Sequence, residues 1–140
     1  MEEIERWRAG RCQCGQVRYR CDPVPLALYV CHCTNCQAQS ASAFGISYIV
    51  HRSAVQLIAG EPAYHEWDTD SGRRSRGAFC RQCGTRLWHE SLDPERAVSI
   101  KGGSLDQPVD ISAAVHIWTA SKLPGVVIPE GARQFAREPR

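Results

Sequence analysis

Short runs of β-branched, aromatic and alternating apolar residues recur along the chain, at 15–19, 26–30, 44–50, 55–59, 64–67, 76–80, 86–89, 97–101 and 115–118. Turn signals separate them: Asp22-Pro23, Gly60-Glu61-Pro62, Asp70-Ser71-Gly72, Asp93-Pro94, Gly102-Gly103 and Gln107-Pro108. No segment keeps an apolar period of 3.6 residues long enough for a long helix. The pattern predicts a mainly β fold of short antiparallel strands, with no internal repeat beyond the paired cysteines and no low-complexity linker. The polar tail over 129–140 is expected to fray.

Composition narrows the class. With 140 residues, 43% hydrophobic and 23% charged, the chain can build one core but not two comfortable ones. A single domain over 1–140 is expected, with its ordered part at about 10–135. The opening Met1-Glu2-Glu3-Ile4-Glu5-Arg6-Trp7-Arg8 has no apolar signal core. Nor does any apolar stretch approach the roughly 20 residues of a membrane span. A soluble cytoplasmic protein without membrane attachment is the expectation. In a reducing compartment, cysteines paired at short spacings read as metal ligands rather than cystines.

Net charge is only +2. The positive residues form neither a basic face nor a recognisable reading element, which argues against a nucleic-acid partner. The local group Arg73, Arg74 and Arg76 reads as a solvated strand or hairpin edge. A site for anionic substrate groups is the sharper alternative.

The cysteines carry the chemistry. Cys12 and Cys14, then Cys31, Cys33 and Cys36, then Cys80 and Cys83 supply seven clustered thiols. A closed tetrahedral zinc takes four protein ligands, whereas a catalytic zinc keeps three and leaves one position open. Two distant pairs, Cys12/Cys14 and Cys80/Cys83, suit a closed site that clips an early strand to a late hairpin. Four soft thiolates favour zinc, with iron possible. The middle three lie within six residues, enough to grip one ion from a single loop with a position left open. A rival grouping joins some of Cys31, Cys33 and Cys36 to Cys80 and Cys83. His32 sits between two ligands, so its ring is expected to point away from the metal. Cys21 reads as a buried free thiol, with a redox or spare-ligand role as the alternative.

Three ordered stretches carry a resemblance. Gly10-Arg11-Cys12-Gln13-Cys14-Gly15-Gln16-Val17-Arg18-Tyr19 is the first. Cys31-His32-Cys33-Thr34-Asn35-Cys36-Gln37, with Ser42-Ala43-Phe44-Gly45, is the second. Phe79-Cys80-Arg81-Gln82-Cys83-Gly84-Thr85-Arg86-Leu87 is the third. Together with 99–106 and His116-Ile117-Trp118, they resemble the domain shared by glutathione-dependent formaldehyde-activating enzymes and centromere protein V. The resemblance spans about 10–135. It implies a tent-like β domain with two zinc ions, a structural one on Cys12, Cys14, Cys80 and Cys83 and a catalytic one on Cys31, Cys33 and Cys36. It also implies a carbon-sulfur lyase-type activity that joins formaldehyde to glutathione as S-hydroxymethylglutathione. Two positions depart from the family pattern: Ala41 stands where glycine is frequent, and Gly125 where tryptophan is frequent.

The chemistry is self-consistent. Three thiolates around a divalent ion leave a net charge near −1, a poor generator of hydroxide but a good seat for an exchangeable fourth thiolate. A thiolate adding to an aldehyde carbonyl gives a hemithioacetal. Its alkoxide needs a proton, for which water, His32, Asn35, Ser40 and Ser42 are the local candidates, His32 fitting better as support beneath the metal loop. His51, His65, His89 and His116 lack metal-site spacing and read as surface or core histidines. Trp67, Trp88 and Trp118 read as packing aromatics. A different class remains open: a non-catalytic zinc module that binds a protein or nucleic acid.

Overall fold

The computed structural model describes residues 7–69, 72–92 and 97–139. The turns expected at Asp70-Ser71 and Asp93-Pro94 lie outside the described residues, as do positions 1–6. Ten short strands dominate among the described residues. β1 (Arg8–Arg11), β2 (Arg18–Cys21) and β5 (Val55–Ala59) form a three-stranded antiparallel sheet in the order β1-β2-β5. The remaining strands are β3 (Ala27–Cys31), β4 (Gly45–Val50), β6 (Ala63–Asp68), β7 (Arg74–Phe79), β8 (Arg86–Ser91), β9 (Val98–Lys101) and β10 (Val115–Ile117). They make a second sheet in the order β10-β3-β4-β9-β8-β7-β6, antiparallel except where β10 runs parallel to β3. The mainly β architecture expected from the alternating pattern is therefore present.

The alternation places the core. Tyr19 and Cys21 of β2, Tyr48 and Val50 of β4, Leu87 and Trp88 of β8, and Val98 and Ile100 of β9 are buried in one cluster that joins both sheets. Tyr19 meets Trp88 edge-on at 5.8 Å between ring centres, and its hydroxyl pairs with Ser104 Oγ at 2.6 Å. Gly10 lies opposite Tyr19 in register. A Cβ there would strike the tyrosine ring, so glycine lets this large side chain lie flat across the first strand.

Four local differences from the sequence reading have physical causes. The run over 15–19 becomes strand only from Arg18, because the preceding residues turn around Cys12 and Cys14, with Gly15 at φ +79°. β1, Arg-Ala-Gly-Arg, has no apolar alternation to announce it. The helix α1 (Thr34–Ser40) buries none of its seven residues, so it carries no apolar period either. The tail expected to fray is instead hydrogen-bonded beside β10: His116 N–H donates to Arg133 O, Phe135 N–H to His116 O, and Trp118 N–H to Arg137 O. No described helix is long and apolar enough to cross a membrane.

Candidate functional site

The first cluster forms where two strand ends meet. Cys12 follows β1 and Cys80 follows β7, and each opens a tight turn: Gly15 N–H donates to Cys12 O at 3.0 Å, and Gly84 N–H to Cys80 O at 2.8 Å. Both glycines adopt positive φ, +79° and +81°, a region open to them at little cost. The Sγ atoms of Cys12, Cys14, Cys80 and Cys83 all lie within 4.8 Å of one another. The Cys12–Cys14 and Cys14–Cys80 sulfurs stand 3.6 and 3.7 Å apart. A tetrahedral ion with metal–sulfur bonds of about 2.3 Å needs sulfurs ~3.8 Å apart, so this donor set fits a four-coordinate metal.

Backbone and side-chain donors converge on those sulfurs. Val17 N–H donates to Cys12 Sγ at 3.3 Å and Gln82 N–H to Cys80 Sγ at 3.4 Å. Thr85 ties the two turns together: its Oγ1 accepts from Gln13 N–H at 3.0 Å and lies 3.2 Å from Cys83 Sγ. That hydroxyl, with the Thr85 backbone, holds the Cys83 thiol down at about 5, where it is a thiolate at neutral pH, the form that binds metal.

The second cluster is local. Cys31 ends β3, Cys33 caps α1, and Cys36 lies in its first turn, with all three Sγ atoms within 4.8 Å of one another. This corrects the reading of the segment as a loop: it is a strand-to-helix junction. Cys33 Sγ accepts the Cys36 N–H at 3.2 Å. Hydrogen bonds from the Cys31 and Cys36 thiols hold Cys33 far below the ordinary thiol value, while Cys31 is pushed far above it. Gly45 pairs with Cys31 in register, and a Cβ on it would stand 3.3 Å from Cys36 Cβ, so the strand closes directly over the cluster. Neither cluster shares a sulfur with the other, which overturns the rival grouping of the middle cysteines with Cys80 and Cys83.

His32 is fully buried, its Nε2 2.9 Å from His116 Nδ1 and its ring edge-on to Phe44 at 5.7 Å. Its Nδ1 has no hydrogen-bond partner among the described residues. Burial, reinforced by His116, lowers its pKa. The ring thus braces the junction from below.

A cleft of about 530 Å³ opens beside Cys36. Ser40, Ser42, Phe44, Arg86, His89 and Lys101 are among the residues that line it. Lys101 follows buried Ile100, so strand alternation turns it to the opposite face from the core, where its Nζ donates to Ser47 Oγ at 3.2 Å. Burial lowers the Lys101 pKa against the upward pull of the three cysteines. Arg86 donates to His89 Nε2 at 3.2 Å, leaving the proton of the neutral ring on Nδ1. Burial, with the charges of Lys101 and Arg86, holds His89 down at about 2.

Of the four side chains considered as proton sources, Ser40 and Ser42 line the cleft, while exposed Asn35 and buried His32 do not. Lys101, Arg86 and His89 were missed as cleft residues. The signal for Lys101 was a cation on the alternate face of a strand whose other face is Val98 and Ile100. Gly125, at φ +95°, does not line the cleft, and Ala41 does. Arg74 pairs with Glu66 and Asp68, each at 2.9 Å, and Arg76 with Glu90, so these two of the three arginines are ion-paired on β7. Burial raises the Cys21 thiol to about 11, keeping it protonated inside the core.

Two β-sheets joined at a four-sulfur cluster, with a three-sulfur cluster opening on a cleft, define a cysteine-rich β domain whose two thiol groups could each hold a metal ion. The sequence profile of the family described as glutathione-dependent formaldehyde-activating enzyme matches residues 7–121. That match covers most of the chain, and the chain belongs to this family. Membership implies glutathione-dependent formaldehyde activation. A crystal structure of a Rhodobacter sphaeroides protein is similar with a TM-score of 0.58 and 19% identity, covering 73% of this chain and 90% of that one. At that identity the likeness concerns the fold alone. No curated protein matches the chain.

Proposed function

We propose that this chain is a zinc-dependent carbon-sulfur lyase that makes and breaks the S-hydroxymethyl adduct of glutathione and formaldehyde, working as one domain in the cytoplasm. Cys12, Cys14, Cys80 and Cys83 would hold a structural zinc; Cys31, Cys33 and Cys36 would hold a second at the cleft. That second ion, when bound, supplies a seat where an incoming thiol loses its proton. The supporting observation is the cleft itself: a substrate-sized space lined by Cys36 of the three-sulfur cluster and by none of Cys12, Cys14, Cys80 and Cys83.

The residues of the chain then divide the work. Sulfur attack on the aldehyde carbon forms the C–S bond, and the carbonyl π pair moves to oxygen, which becomes an alkoxide. Lys101, beside the three cysteines and hydrogen-bonded to Ser47 Oγ, meets this developing charge in its protonated form; a donor already in place costs no reorganisation during the reaction. The alkoxide then takes a proton from solvent, and the reverse sequence cleaves the adduct. Ser40 and Ser42 add hydroxyls to the cleft lining. His32, stacked at 5.2 Å on His116, keeps the Cys31–Cys33 backbone in place and stays out of the proton path. Metal content and adduct turnover measured together on the same preparation test the assignment: two zinc ions per chain with turnover support it. Two ions without turnover on any thiol-aldehyde pair would favour a binding module.

A further inference from the structure

At the far side of the Gly102–Ser104 turn from Lys101, two arginines face each other. Arg11 of β1 and Arg18 of β2 are direct register partners, a like-charge pair that strand pairing ordinarily disfavours. Their tips converge: Arg18 Nη2 lies 3.4 Å and Arg11 Nη1 3.6 Å from the point where a Cβ on Gly15 would stand. One carboxylate, Asp106, is nearby, 3.9 Å from Arg11 Nε. Arg18 spends its Nε on Gly15 O at 3.0 Å. Among the described residues, the terminal nitrogens of both guanidinium groups carry no hydrogen bond. Two such planar donor groups with one acidic neighbour suit a carboxylate.

The position of this pair gives it meaning. Arg11, Arg18 and Asp106 line a groove whose other residues include Thr85, Gly103 and Ser104, and these same three line the metal-facing cleft. The two spaces therefore adjoin. Lys101 and Asp106 are joined by one 3-10 turn and a short extended piece, a path of roughly 10 Å at the usual rise per residue. An extended tripeptide reaches about as far. Gly103 at the crossing is exposed and has open space where a side chain would stand.

We propose that Arg11 and Arg18 form a subsite for the α-carboxylate of a γ-glutamyl thiol, with Asp106 receiving its α-ammonium, while the thiol end reaches the cleft beside Cys36. The proposal rests on the thiol-adduct reading above and names the arm that selects glutathione over simpler thiols. Arg11 and Arg18 are binding residues in it, remote from the bond that forms.

Equilibrium dialysis of the full-length, zinc-loaded chain against glutathione, γ-glutamylcysteine, cysteinylglycine and 2-mercaptoethanol tests it. Arg18→Gln and Arg11→Gln are each expected to weaken glutathione and γ-glutamylcysteine by roughly tenfold, the worth of one charged hydrogen bond. Cysteinylglycine, which lacks the γ-glutamyl arm, should lose little, so its affinity ratio to glutathione shifts. Arg11→Gln removes no short hydrogen bond of the fold and guards against misfolding of Arg18→Gln, whose side chain braces the Cys12 turn. Unchanged glutathione affinity in both variants, or an equal loss for cysteinylglycine, would overturn the subsite while leaving the thiol-adduct reading intact. Wild-type protein that binds none of the four thiols would overturn both.

Discussion

The two sulfur clusters use one ligand chemistry and span very different lengths of chain. Cys14 and Cys80, in contact at the first, are 66 positions apart, and the metal there would join the three-stranded sheet to the seven-stranded one. Cys31, Cys33 and Cys36 belong to one strand-to-helix junction. Closing the long loop costs roughly 4 kcal/mol of chain entropy, and the short one roughly 1 kcal/mol. The surroundings differ in the same direction. The first cluster is knit by Thr85 and by backbone N–H groups from both turns; the second adjoins a cleft with a lysine in its wall. On the proposed reading, topology divides identical donors into a clasp and a working site.

The sharpest way to break this comparison is to remove one sulfur from each side. Cys80→Ser should cost several kcal/mol and one zinc ion, since structural zinc contributes on the order of 10 kcal/mol in small zinc folds. Thermal melting and metal content on the same sample check it; full metal with native melting would end the structural assignment. Cys33→Ser should abolish adduct turnover, by a hundredfold or more, with a much smaller loss of melting temperature. An equal collapse of both variants would make both clusters structural.

Smaller changes sharpen the contrast. Lys101→Met keeps the stem and removes the charge, and should lower turnover by about ten- to a hundredfold, the range of a lost oxyanion donor, with the zinc content unchanged. Steady-state kinetics with a metal assay separates this from loss of the ion. Ala41 caps α1 in the left-handed region at φ 52°, ψ 39°, a conformation that costs a residue with a Cβ about 1 kcal/mol or more. Ala41→Gly should therefore raise stability by about 0.5 kcal/mol after the greater freedom of glycine in the unfolded chain is set against it. Denaturant melting reads that difference.

Much of this was legible in the sequence because each signal was local and periodic. Each of the nine predicted runs overlaps a strand, that at 15–19 only over Arg18 and Tyr19, since side-chain alternation and turn residues act over a few positions. The grouping of sulfurs was legible as four plus three from spacing alone, but only the fold excludes the rival partners for Cys80 and Cys83. α1 escaped because a seven-residue helix that buries nothing leaves no apolar stripe. Lys101, Arg86 and His89 escaped because their meeting depends on the pairing of β9 with β8, and no sequence spacing records which strands become neighbours. Ala41 illustrates the reverse: its departure from the family pattern was visible as a letter, and its meaning came only with a positive φ.

The central claim is that the three-sulfur centre exchanges a thiolate ligand. Titration calorimetry of zinc-loaded protein with glutathione and with S-methylglutathione, from acidic to alkaline pH, reads it most directly when metal content is assayed before and after. The account predicts two zinc ions per chain and glutathione affinity that rises with pH until the free thiol ionises near 8.5 to 9, because binding releases the thiol proton. It also predicts much weaker binding of the S-methyl analogue, which keeps the peptide and cannot present a thiolate. Equal, pH-independent affinity for the two would contradict it.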